Sequence, residues 1–254
     1  MNRRAFMQAL GAFVASVPSP CQAQTAYRVP GWGACKKIPS IIVVSGEDDR
    51  RMSAVRAAVS FWNATLLELG SPFRLGPVTH VAGSIPYDDL RPVSGRDDGP
   101  ARPRWHNGSY RLDFPESISR LSADIVLALT DGKLRSYTTG SLEPRKVLVV
   151  IDNDLAEPRA MPNATWKITP QNVVAHELGH AIGLGHNDDT SALMCGRAAW
   201  CWAPFPGNPF PPKGFFRLTD SDKAKLRQMY PGHWPTPPPP PWWKGDPPPA
   251  VWRG

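Results

Sequence analysis

The stretch "HELGHAIGLGH", His176 to His186, sets three histidines and one glutamate within eleven positions. Before it, "ITPQNVVA" reads as a helix start, with Thr169 as N-cap and Pro170 at the first helical position, where an N–H would be unpaired anyway. Val173, Val174, Leu178 and Ile182 recur at helical spacing and supply a face to bury. His176 and His180 stand four apart, so both imidazoles project from one side of that helix. Glu177 follows the first of them, where its carboxylate can reach a water at a metal without joining the coordination sphere. Gly183 tolerates the left-handed backbone that ends a helix, and the chain can then turn so that His186 faces the other two. Three neutral nitrogens around one zinc leave the fourth position open for water, which marks a catalytic rather than a structural site.

Zinc brings the pKa of such a water toward about 7. Glu177 would accept the water's proton and later deliver it to a leaving amine. A buried set of core histidines would need neither the glutamate, nor the glycine, nor the third histidine at these spacings. Hydrolysis of peptide bonds by one catalytic zinc is the chemistry expected. The alternative is a non-catalytic protein that keeps the zinc scaffold and attaches elsewhere through its C-terminal tail.

On these residues the chain resembles the metzincin metallopeptidases, whose signature is HExxHxxGxxH followed by a tight turn holding a methionine. Met194 lies eight residues past the third histidine, in "SALMCG", which is similar to the Ala-Leu-Met of the matrixin branch. The resemblance implies that Met194 forms a hydrophobic floor under the zinc and is not a ligand. "SADIVLALT", 122–130, is similar to a matrixin strand. "LTDSDKAKLRQMYP", 218–231, is similar to the closing helix, with Thr219 as N-cap and Asp222 three residues on. The fold implied is α/β and zincin-like: a mixed twisted sheet, two main helices, a C-terminal helix, and a cleft along the sheet edge. A protein or peptide substrate would dock there as an added strand, with 134–139 as the rail.

The chain also departs from that pattern. Matrixins carry a second, structural zinc in a histidine-containing loop, and 131–168 holds no histidine. Asp124, Asp131, Asp152 and Asp154 leave calcium open. After Met194 stand Cys195 and Gly196 where the family has an aromatic and a proline, so pocket shape and cleavage preference do not carry over.

The N-terminus "MNRRAFMQALGAFVASVPSPCQAQ" has a basic start, an apolar run too short to cross a membrane, and a small-residue end. Residues 1–23 are expected to be a signal peptide, placing the protein outside the cell or in the periplasm. "NRRAFMQ" is also similar to a twin-arginine export motif. Cleavage near Ala23 removes Arg3, Arg4 and Cys21, which reduces the formal charge of +7 and leaves Cys35, Cys195 and Cys201. That modest charge, with no basic-aromatic array, implies no nucleic-acid partner. Cys195 and Cys201 could form a disulfide, Cys35 could bridge to either, and Cys35 could also hold the zinc as a latency switch.

The remaining organisation is simple. After a short segment, 24–37, the metallopeptidase domain spans 38–231, and a monomer is expected. "SIIVVSG", 40–46, reads as a strand, 51–68 as an amphipathic helix burying Val55, Val59, Trp62 and Leu66, and 73–81 as a second strand. Strands follow at 124–130, at 134–139 on an edge, and at 146–152 in the interior. Residues 82–110 read as a long surface loop, with His80, His106 and His233 facing solvent. The proline-rich stretch 200–216 is expected to wall the substrate pocket. The tail, 232–254, is rich in proline and tryptophan; it should be an extended polyproline-type segment, disordered or sticky toward a protein or surface partner.

Overall fold

Two apolar runs, "IVLALT" and "RKVLVVID", carry the architecture. They are nearly continuous rather than alternating, the pattern of strands covered on both faces. In the computed structural model of the protein, the described residues are 31–32, 37–93, 104–106, 109–131, 134, 136–142, 145–152, 170–196, 201 and 214–232. Outside them lie several sequence expectations: the signal peptide, Cys35, Asp154, Thr169, most of the pocket wall and the tail with His233.

In chain order the elements are β1 (Ile41–Ser45), α1 (Met52–Glu68), β2 (Val78–Ala82), α2 (Tyr87–Val93), β3 (Arg104–His106), β4 (Ser109–Arg111), α3 (Glu116–Ser119), β5 (Ile125–Thr130), β6 (Tyr137–Leu142), β7 (Arg145–Asp152), α4 (Pro170–Ala181) and α5 (Asp220–Met229). The main sheet runs β2-β1-β5-β7-β6, and β3 pairs with β4 in a separate hairpin. The first four strands are parallel, and β6 closes the edge antiparallel to β7, with Thr138 opposite Val149. This mixed sheet with its helices is the α/β, zincin-like arrangement the motif implied.

Side-chain alternation sorts the core into two layers. Ile125, Leu127 and Leu129 of β5, with Val147, Val149 and Ile151 of β7, pack against α1 and α4. Val126, Ala128, Leu148 and Val150 face Ile85, Leu90 and Val93 around α2, and Ile118 of α3. On the first layer Trp62 of α1 is fully buried, and its indole N–H donates to Ala175 O at 2.9 Å, seating α1 against α4. On the second, buried Lys146 donates to the carbonyls of Ile118, Ser119 and Leu121, where α3 ends. A cation at a helix C-terminus is favourable, and this one adds to the backbone N–H bonds that Ile118 O and Leu121 O already accept.

Several expectations change. The second strand is Val78–Ala82 rather than 73–81; Pro77 lacks the N–H that would extend the ladder. The segment 82–110 is not one loop: α2, β3 and the start of β4 lie within it, and Leu90 is fully buried. The edge strand is shifted, covering Tyr137–Leu142 rather than 134–139. His80 is half-buried on β2 and stands 2.9 Å from Ser45 Oγ. Asp124 and Asp131 flank opposite ends of β5, so the four aspartates do not make a single calcium site. Asp124 is instead engaged by the Ser40 N–H and hydroxyl and by Lys37.

Candidate active site

The helix α4 holds the site because both of its sides are determined. Val173, Val174, Leu178 and Ala181 are buried in the core, and His176 and His180 stand one turn apart on the helix. The helix ends in a left-handed turn: Gly183 has φ +98°, Gly183 N donates to His180 O, and Leu184 N donates to Gly179 O. Any side chain at Gly183 would also meet Gly31 N at 2.7 Å, so the turn requires glycine twice over.

That turn brings His186 back over the helix. The three Nε2 atoms then face one another, at 3.1 Å between His176 and His180, 3.1 Å between His180 and His186, and 3.3 Å between His176 and His186. His176 Nδ1 lies 2.7 Å from Leu193 O and His180 Nδ1 lies 2.9 Å from Leu184 O. A carbonyl can only accept, so both Nδ1 atoms carry the hydrogen and both Nε2 atoms present bare lone pairs. Converging lone pairs repel unless a cation sits between them, and nitrogens around a tetrahedral zinc stand roughly 3.3 Å apart. The three histidines therefore fit a metal ion, and they are the group able to hold one among the described residues. Burial above all, then the proximity of His180 and His186, pushes His176 down to about 3, against the opposing pull of its Leu193 bond. It is neutral at physiological pH, as a metal ligand must be.

The chain after His186 packs against α4 at Gly179. Asn187 N donates to Met194 O and Gly196 N donates to Asn187 O, so the turn and the third histidine are clipped together. Met194 is fully buried, and its sulfur fills the space over Gly179, where a Cβ would stand 2.5 Å from Sδ. A Cβ at Gly196 would stand 2.6 Å from His186 Cβ. Cys195 and Cys201 are joined by a disulfide. Behind the turn, α5 carries the Thr219–Asp222 capping box, and buried Asp222 also accepts from Asn187 Nδ2 at 2.8 Å.

Glu177 is buried beside the histidines, and Thr138 of β6 places its hydroxyl 2.8 Å from Glu177 Oε2. Sequence reasoning missed Thr138, Gly179 and Gly196, and the Leu184 and Leu193 carbonyls. The glycine inside "HELGH" was a readable signal of close packing; the carbonyls carry no side-chain signature at all.

A family model described as Matrixin matches residues 101–231, just over half of the chain. The chain belongs to the matrixin family. This matrixin is accordingly a zinc metallopeptidase, and zinc is the metal expected at its histidines. Among solved structures it is similar to archaemetzincin from Methanopyrus kandleri, at 16% identity over 76% of this chain and 96% of that one, with a TM-score of 0.42. No curated protein matches the matrixin chain.

Proposed function

We propose that the protein is an exported zinc endopeptidase in which His176, His180 and His186 hold the metal and Glu177 is the general base and acid. The observation that carries this is the convergence of three histidine Nε2 atoms beside a buried carboxylate. Zinc held there supplies a Lewis acid for a substrate carbonyl and acidifies a water. The Glu177 carboxylate takes the water's proton and returns it to the nitrogen of the departing amine. Leu193 O and Leu184 O keep the two helix imidazoles in the Nδ1–H tautomer throughout. The β6 strand, at the sheet edge beside α4, offers its outer backbone to an extended peptide. The N-terminal segment 1–23 supports export, and none of the described helices is long and apolar enough to cross a membrane.

The test is digestion of a denatured-proteome peptide library by the zinc-loaded mature protein, beside Glu177→Ala and a chelator control, read by mass spectrometry. Cleavage that disappears in both controls is the expected result. Folded, zinc-loaded protein that cleaves nothing would overturn the enzyme reading in favour of a zinc-scaffold binding protein.

A further inference from the structure

We propose that Thr138 is the positioning residue for the Glu177 carboxylate, a role that rests on Glu177 being the proton acceptor. Residues alternate faces along β6: the Tyr137 phenol turns to the α2 side and donates to Leu90 O at 2.7 Å, and Thr138 turns the other way, toward α4. Its Oγ1 lies 2.9 Å from Glu177 O and 2.8 Å from Glu177 Oε2. Both are acceptors, so the single hydroxyl hydrogen of Thr138 is shared between them. An ionised carboxylate is the stronger acceptor and draws the larger part of it.

Glutamate has three rotatable bonds, and a general base works only if its oxygen stays within hydrogen-bond reach of the proton it takes. The Thr138 hydroxyl anchors one carboxylate oxygen at a known point on the sheet. Threonine suits this better than a longer donor, because β-branching leaves its χ1 few choices within a strand. The contact also joins the strand that would receive the peptide to the group that would act on it. A shift of β6 along its edge would carry the carboxylate with it.

The test compares wild type, Thr138→Val and Thr138→Ser as zinc-loaded full-length protein, with Glu177→Ala alongside. Valine keeps the shape and removes the hydroxyl; serine keeps the hydroxyl. For Thr138→Val, kcat falls between about tenfold and a hundredfold with KM within about twofold of wild type, the size of effect that follows from misplacing a reacting group. Thr138→Ser recovers most of that loss. Zinc affinity by chelator competition and the melting temperature stay near wild type in both, and the crystal structure of Thr138→Val shows the Glu177 carboxylate rotated away from β6. A kcat unchanged in Thr138→Val, a loss confined to KM, or no recovery in Thr138→Ser would overturn the proposal. If wild type is inactive, or Glu177→Ala cleaves as well as wild type, it is the enzyme reading that fails. The crystal structure then decides Thr138 alone: a carboxylate unmoved in the valine variant overturns its positioning role.

Discussion

Two glycines near the histidines have no side chain because the space is already filled. At Gly179 a methyl would meet Met194 Sδ at 2.5 Å and Trp62 Cζ2 at 2.9 Å. Glycine to alanine inside a helix gains up to about 1 kcal/mol in propensity. Overpacking a filled core costs about 1–3 kcal/mol, so the clash wins. Gly179→Ala should lower the urea midpoint without changing the slope of the transition. Gly196→Ala should act differently, since its methyl would press on His186 Cβ at 2.6 Å. Its zinc affinity should fall about tenfold or more, measured by chelator competition, because the third histidine is turned aside. The histidines and Glu177 were legible because their spacing along one helix and its turn is itself the geometry. Thr138 was not, since it lies 39 positions from Glu177 and only sheet closure joins them.

At the scale of elements, what holds the active-site helix is the capping of its far end. Trp32 is fully buried, its indole N–H donates to Ala181 O at 3.0 Å, and the Tyr230 hydroxyl donates to Ile182 O at 2.7 Å. Arg145 lies over the Trp32 ring and donates to Gly31 O. Trp32→Ala removes both packing and a cap, and should cost about 3–5 kcal/mol in chemical denaturation. The Cys195–Cys201 disulfide closes a loop six residues long. On chain entropy alone its reduction should cost about 2 kcal/mol, read as a lower melting temperature in reductant. The capping box of α5 was legible from "TDSD", since cap chemistry is local. The short α2 was hidden because "YDDLRPV" sits in a stretch whose composition reads as loop, and its burial against the sheet is a tertiary effect.

For the whole molecule, acid sensitivity follows from three carboxylates. Burial pushes Asp49 up, but its hydrogen bonds and charge pairing with Arg51 outweigh this and hold it below the usual range. Asp124 is likewise raised by burial and lowered further by Lys37 and Ser40. Asp189 is lowered chiefly by its Ser191 hydrogen bond, with Arg217 adding to it. A carboxyl depressed in the native state contributes stability that is complete above its unfolded value, about 3.9, and lost as pH falls through the native value. These carboxylates therefore add a drop in melting temperature below about pH 4, and Asp49→Asn should make that part of the drop shallower. The parallel order β2-β1-β5-β7 was not legible in the sequence, because period and propensity define strands but not their neighbours.

Trp32 N donates to the Tyr230 hydroxyl across 198 positions, so the two ends of the described chain meet behind the histidines. A growing polypeptide carries His176, His180 and His186 well before it carries the tyrosine that locks their helix. Contacts of such long sequence range form late and slowly. Order of synthesis thus works as a clock: the metal-binding motif is made early, and the tyrosine that caps its helix arrives only after α5.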